Sequence, residues 1–116
     1  MPSAFNDTKG TQVASNVRVA TSMWARFWGL MGRASLPDDE GLLLRPCSSV
    51  HTFFMRFPID VIFLDRGGSV VKIIAAMKPW RAALGGPGAH SALELNSGAA
   101  ANRGLEVGDV LTLREP

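Results

Sequence analysis

The chain has little cysteine, no long apolar run and no basic, apolar leader. Cys47 is the only cysteine among 116 residues, so an internal disulfide is excluded, and a lone thiol suits a reducing compartment. No apolar stretch approaches the ~18 residues that a membrane helix requires, and the first twelve residues do not have the composition of a secretory signal. We therefore predict a cytoplasmic protein with no membrane association.

Clustered charge and metal-binding motifs are also missing. The net charge is only +2, and the nine arginines are spread along the chain without forming a run. Proteins that bind nucleic acids usually concentrate basic residues, so we predict no nucleic-acid partner. The chain contains no HxH, CxxC or HExxH spacing, so we predict no metal and no cofactor. A small-molecule ligand is compatible with this composition, and a protein partner is left open.

The composition that remains is that of one globular domain. Hydrophobic residues make up 47% of the chain and charged residues 19%, while twelve glycines and seven prolines indicate frequent turns. We predict a disordered or frayed tail over residues 1–11 and a single compact domain over 12–116.

Hydrophobic patterning predicts mostly strands. The strongest prediction is a hairpin over 59–76, because IDVIFLD and SVVKIIAA flank a Gly-Gly turn. Further strand predictions cover 12–20, 41–45, 50–55, 91–95 and 105–113, the last including a turn. Residues 77–90, which contain KPW and GGPG, are predicted to form a long loop.

Two short helices complete the prediction. One covers 23–31 and follows a Thr-Ser pair that caps it, and the other lies within 96–104 with Asn96 or Ser97 as its cap. The predicted fold class is therefore α+β and β-dominated: a small, single-domain, barrel-like or sandwich sheet with one or two short helices.

The segment CSSVHTFFMRFPIDVIFLD, residues 47–65, concentrates groups that can carry chemistry. Cys47 is a nucleophile only as a thiolate, which a neighbouring histidine promotes. Residues four apart on a strand lie about 13 Å apart, so contact between Cys47 and His51 requires a bend. A buried structural role is the more frequent one for such a cysteine, whereas for His51 a functional role and a structural role weigh equally.

Two acids are unusual in their apolar surroundings. Both faces of the strand that carries Asp60 are apolar, so its carboxylate needs partners. Arg56 becomes a partner if the chain bends at Pro58, and nearby backbone N–H groups are the alternative. Glu94 alternates with leucines in ALEL, and facing water is the commonest fate of such a residue.

Aromatic residues supply the other candidates for a binding site. Phe53, Phe54, Met55 and Phe57 are of types found more often in a core than on a binding surface. In the proline-glycine loop, Trp80 and Arg81 could close over a ligand. The alternative is that Trp80 plugs the edge of the core and Arg81 is solvated. The candidate ligand-binding residues are Phe54, Met55, Arg56, Pro58, Asp60, Trp80, Arg81 and Glu94.

Several motifs together resemble the conserved bacterial and archaeal family known as domain of unknown function 192. The matching motifs are RFWGLMGR (26–33), EGLLL (40–44), HTFFMRFPIDVIFLD (51–65), VV (70–71), LEL followed by a glycine (93–98) and GLEVGD (104–109). The resemblance implies a compact β-rich domain with a small helix or two, and no established activity, substrate or cofactor. Many members are exported or anchored and read tryptophan-methionine where this chain has Phe54-Met55, so a cytoplasmic variant is expected.

Three hypotheses for function follow, in this order. The first is a binding module for a small or anionic ligand, with a pocket near residues 51–60 and with Trp80 and Glu94 at its rim. The second is a hydrolase or transferase in which His51 is the general base and Cys47 the nucleophile. The third is an accessory domain that binds proteins through an apolar patch around Trp24 and Trp28.

Overall fold

The computed structural model describes residues 1–22, 30 and 33–115. These residues form ten β-strands and one short helix. The strands are β1 Ser3–Asn6, β2 Thr11–Ala14, β3 Asn16–Ala20, β4 Glu40–Leu44, β5 Ser49–His51, β6 Ile59–Leu64, β7 Val70–Met77, β8 Ala82–Leu84, β9 Ser91–Asn96 and β10 Leu111–Arg114. The helix, α1, is Ala99–Asn102. The predicted β-dominated class is confirmed.

The strands form three open sheets. The central sheet has the order β3-β4-β9-β6-β7, in which only β3 and β4 run parallel. A second sheet has the order β10-β1-β2, and β5 pairs with β8 in a two-stranded sheet. Both smaller sheets are antiparallel, and pairs such as β1–β10 and β4–β9 join strands that are far apart in the sequence.

The central sheet has a hydrophobic core on each face. All six residues of β6 are buried, because successive side chains point to opposite faces and both faces are covered. Ile62 packs in the core shared with the β10-β1-β2 sheet, whereas Val61 and Phe63 pack in the opposite core. Full burial of each such side chain contributes roughly 1.5–3 kcal/mol, so β6 stabilises both cores.

The predicted hairpin over 59–76 is confirmed, with β6 and β7 as its strands. The Asp65 carboxylate Oδ1 accepts hydrogen bonds from Gly67 N and Ser69 N, each at 2.9 Å. Gly68 has a φ of 89°, and a Cβ at that position would lie 2.4 Å from the carbonyl oxygen of Leu111. Both conditions require glycine in this turn.

The predicted N-terminal tail is wrong. β1 lies within residues 1–11 and pairs with β2 on one side and with β10 on the other. The predicted strand over 12–20 is also divided, because the backbone N–H groups of Ser15 and Asn16 both donate to the carbonyl of Asp39. That contact directs the chain from the small sheet into the central one.

Three further boundaries differ from the predictions. The strand predicted over 50–55 ends at His51, and the predicted loop over 77–90 contains β8. The helix begins after Gly98, which is left-handed at φ 91°, so neither Asn96 nor Ser97 caps it. The helix predicted over 23–31 lies outside the described residues.

Among residues 1–22, 30 and 33–115, no helix has the length and apolar character needed to cross a membrane.

Candidate functional site

Thr52 joins the two loops that follow β5 and β7. Its side chain is fully buried; the hydroxyl donates to the Lys78 carbonyl at 2.6 Å and accepts from Arg81 N at 2.9 Å. Its own N–H donates to the Arg81 carbonyl, and its carbonyl accepts from Trp80 N at 3.0 Å and Met55 N at 3.2 Å. Because every polar group of Thr52 is used, the two loops are held together at one point.

Four rings contact one another in series next to Thr52, and we call them the aromatic surface: His51, Phe53, Phe54 and Trp80. The ring centroids of His51 and Phe53 are 5.1 Å apart and those of Phe53 and Trp80 6.0 Å apart, with angles of 30° and 28° between the ring planes. Phe54 meets Trp80 edge-on at 4.8 Å. These spacings are those of favourable aromatic contacts, so the rings form one continuous group.

The aromatic surface faces outward on a strained backbone. Phe54 is 64% exposed and Trp80 56% exposed, although burial of such rings is normally favoured. Their φ angles are 64° and 65°, a left-handed conformation that costs a bulky residue roughly 1–2 kcal/mol. Such strain persists only where surrounding bonds impose it, and it concentrates at functional sites. Here the bonds of Thr52 impose it.

The strain predicts an unusual response to substitution at Phe54. We expect Phe54→Gly to be about 1 kcal/mol more stable than Phe54→Ala, because glycine adopts a positive φ without a Cβ clash. In an ordinary extended or helical position, the order of the two variants would be reversed. Urea unfolding of both variants measures this difference, and equal or lower stability of the glycine variant would show that Phe54 is not strained.

A shallow depression adjoins the aromatic surface at His51. It measures about 360 Å³ and is lined by β5 and β8. Pockets for small ligands begin at about this volume. The depression and the rings therefore offer a concave and a flat apolar surface side by side.

The sequence around these elements carries positive charge only. Residues 41–59 and 66–93 contain six lysines and arginines and no acid, whereas the rest of the chain holds six basic residues and all ten acids. β5, β8 and both loops of the aromatic surface belong to these two basic segments. Such segregation raises the local positive potential and favours an anionic ligand.

The structure separates the candidate residues of the 54–58 segment. Phe54, Arg56 and Pro58 are exposed, whereas Met55 is buried in the core that contains Val61 and Phe63. Met55 therefore anchors this loop in the core.

The two loop candidates, Trp80 and Arg81, are both exposed. The Arg81 guanidinium contacts the Trp80 carbonyl at 3.4 Å. Trp80 thus belongs to the surface, and it does not plug the edge of the core.

Asp60 lies inside the molecule and has no access to a surface pocket. It is fully buried and accepts hydrogen bonds from Ala76 N at 2.8 Å, Gly98 N at 3.1 Å and Ala100 N at 2.9 Å. The pairing with Arg56 is not formed; the backbone alternative is the one observed. Asp60 thus connects β6 to the end of β7 and supplies the cap that α1 lacks locally.

Glu94 faces the core, and the expectation that it faces water is wrong. It is 2% exposed and lies between Leu42 of β4 and Val61 of β6 in the sheet register. Burial raises the pKa of its carboxyl group to about 8. Asp60 and Glu94 point to opposite faces of the central sheet, so the two acids do not share a site.

Cys47 and His51 have separate surroundings. The Cys47 Sγ lies 2.9 Å from the Ser49 carbonyl, which accepts its hydrogen bond, whereas Nδ1 of His51 accepts from Phe53 N at 3.3 Å. The two residues line different depressions. Catalysis by either residue stays a prediction. No group of three or more potential metal ligands occurs among the described residues.

Two residues of the region were missed from the sequence. Thr52 looked like an ordinary strand residue, and its only signal is a hydroxyl within an apolar run. His90 has no motif around it that marks it in the sequence, yet its carbonyl accepts from Cys47 N at 2.7 Å. The third hypothesis, an apolar patch around Trp24 and Trp28, falls on residues outside those described.

The chain is similar in sequence to curated proteins and in fold to two solved structures. A UPF0127 protein of Thermococcus sibiricus is 35% identical over 109 residues, which are 90% of this chain and 70% of that protein. A crystal structure of a protein of unknown function from Novosphingobium aromaticivorans has a TM-score of 0.86 and 26% identity, covering 97% of this chain and 84% of the other. A candidate transcription regulator from Sinorhizobium meliloti has the same fold, with a TM-score of 0.83 at 22% identity, covering 97% of this chain and 91% of that one.

The family comparison agrees with the resemblance seen in the motifs. The model for DUF192, described as an uncharacterized ACR, matches residues 4–113. Because this match covers almost the whole chain and reaches from β1 to β10, the protein belongs to the DUF192 family.

Proposed function

We propose that this protein is a small binding module whose aromatic surface holds a planar ring of a small anionic ligand. The observation that carries the proposal is the exposure of Phe54 and Trp80 on left-handed backbone. An exposed apolar group held in place at an energetic cost is explained by a role in binding. The flat rings of the ligand would stack on those of the protein.

The charges around the rings favour an anion. Arg56 follows Phe54 by two residues, and Lys78 and Arg81 flank Trp80 in its loop. None of these three cations forms an ion pair with a described residue, so each is available to a carboxylate, sulfonate or phosphate group. Arginine beside an aromatic ring also supports stacking and cation–π contact. A location in the cytoplasm is part of the same proposal, on the ground of the single cysteine.

Binding of naphthalene-1-sulfonate, a flat ring with one anionic group, tests this proposal. We expect the protein to bind it at least tenfold more tightly than cyclohexanesulfonate, which has the charge without the flat ring, and Trp80→Ala to weaken binding about tenfold. Stacking energies of 1–3 kcal/mol support that estimate. Val107→Ala is the matched control, because Val107 is exposed and apolar but lies outside both the aromatic surface and the adjoining depression. Calorimetric titration of the parent with both sulfonates, and of each variant with naphthalene-1-sulfonate, measures these affinities.

Two results would contradict the proposal. Equal affinity for both sulfonates, or an unchanged affinity in Trp80→Ala, would remove the role of the aromatic surface. Binding of a single-stranded oligonucleotide more tightly than the naphthalene probe would show that the ligand is a nucleic acid, since stacking and charge serve such ligands as well.

A further inference from the structure

His90 lies where three depressions of the surface meet, away from the rings of the aromatic surface. The largest is a cleft of about 520 Å³ between the central sheet and the β10-β1-β2 sheet. Two smaller depressions, of about 390 and 310 Å³, adjoin it at the β6–β7 turn and at Cys47. His90 lines all three, and none of them includes a ring of the aromatic surface.

The backbone of His90 is held on both sides. Its N–H donates to the Leu64 carbonyl at 2.8 Å, and its carbonyl accepts from Cys47 N at 2.7 Å. The imidazole is half-buried, and no other described residue bonds to it. A histidine with a fixed backbone and a free ring at the edge of a cleft is suited to bind a ligand.

Two arginines line the same cleft. Arg45 follows β4 and Arg66 lies in the β6–β7 turn, and neither forms an ion pair with a described residue. Two acids also line the cleft, Asp65 and Glu115. Oδ1 of Asp65 is engaged by two backbone N–H groups of the turn, and neither acid forms an ion pair with a described residue.

The remaining lining of the cleft is partly apolar. Leu43, Leu64 and Leu93 contribute from the central sheet, and Leu111 and Leu113 from β10. The cleft thus sets two arginines and His90 beside an apolar wall, and its volume lies in the range of pockets that bind small ligands.

We propose that this cleft binds a phosphate monoester with a short apolar group, with Arg45, Arg66 and His90 at the phosphate. Two guanidinium groups and an imidazole offer more donors than the two oxygens of a carboxylate use, and they match the three terminal oxygens of a phosphate. The leucines take the apolar group. This site goes beyond the function proposed above and uses none of the same residues.

NMR titration with n-butyl phosphate tests the proposal, because the chain has only two histidines. The His51→Gln variant assigns their ring signals. We expect butyl phosphate to shift the signals of His90 and to leave those of His51 in place. Arg66→Ala is expected to weaken binding about tenfold, whereas Arg103→Ala, which removes an arginine outside the cleft, is expected to leave it unchanged.

Each other outcome overturns the proposal in a distinct way. Shifts at His51 and the Trp80 indole would assign the ligand to the aromatic surface. Equal affinity for inorganic phosphate and n-butyl phosphate would show that the leucines do not contribute to binding. Tighter binding of butyrate than of n-butyl phosphate would show that the site prefers a carboxylate. Absence of any shift at His90 would end the proposal while leaving the naphthalene-1-sulfonate experiment unaffected.

Discussion

Replacing Asp60 with alanine is expected to lower the free energy of unfolding by about 4 kcal/mol, because three backbone donors lose a charged acceptor. These donors are the N–H groups of Ala76, Gly98 and Ala100. Proteins of this size have only about 5–15 kcal/mol of stability, so we expect the melting temperature of the variant to lie well below that of the parent. Urea unfolding followed by tryptophan fluorescence measures the loss.

Asp65→Ala provides the matched control for this experiment. Asp65 also accepts backbone hydrogen bonds, from Gly67 and Ser69, but it lies in the exposed hairpin turn. Water replaces a lost acceptor there, so we expect a cost of about 1 kcal/mol. Equal losses of unfolding free energy in the two variants would show that the burial of Asp60 does not increase the cost of removing its carboxylate.

Asp60→Asn separates structure from binding. The asparagine keeps the shape and one oxygen but turns an amide donor toward backbone N–H groups, so its stability should fall between those of the parent and Asp60→Ala. Where it remains folded, we expect its affinity for naphthalene-1-sulfonate to equal that of the parent. A tenfold loss of affinity for naphthalene-1-sulfonate in folded Asp60→Asn would show that Asp60 contributes to binding.

The strands were predictable wherever local pattern and local pairing agreed. The β6–β7 hairpin combines two apolar runs with a Gly-Gly turn, so neighbouring residues contain all the information needed. β1 has no such signal: SAFN is ordinary, and its pairing with β10 joins residues more than one hundred positions apart. β8 is three residues long and is defined by its pairing with β5. Long-range pairing of this kind cannot be derived from one stretch of sequence.

The location of the candidate site was predictable, but its arrangement was not. In the segment 47–65 polar groups occur within an apolar run, and three of the four rings of the aromatic surface lie there. Hydrophobicity alone places Phe54 in a core; the bonds of Thr52 to the loop at Trp80 hold it outside. Alternation along a strand places Asp60 and Glu94 on definite faces, but only the assembled sheets show that both faces are covered.

Glu94 should make the protein less stable as the pH rises. Its pKa is raised to about 8 by burial, from an ordinary value of 4.5. Between these pH values the folded state keeps a proton that the unfolded chain releases, so stability falls by about 1.4 kcal/mol per pH unit. The full contribution is present below pH 4.5, and the loss is complete above pH 8, where it totals roughly 5 kcal/mol.

The Glu94→Gln variant should lack this dependence, because a glutamine side chain has no proton to release. Urea unfolding of both proteins at pH 5, 6, 7, 8 and 9 gives the comparison, and we expect the stability difference to move in favour of Glu94→Gln as the pH rises. Glu115→Gln, which changes an exposed acid, controls for the removal of one charge and should follow the parent curve. If the Glu94→Gln and parent curves run parallel, the carboxyl group titrates normally despite its burial. A gap that grows in favour of Glu94→Gln as the pH rises would instead mean that Glu94 is held neutral at physiological pH by the core that covers it, and that this core weakens when the carboxyl group ionises.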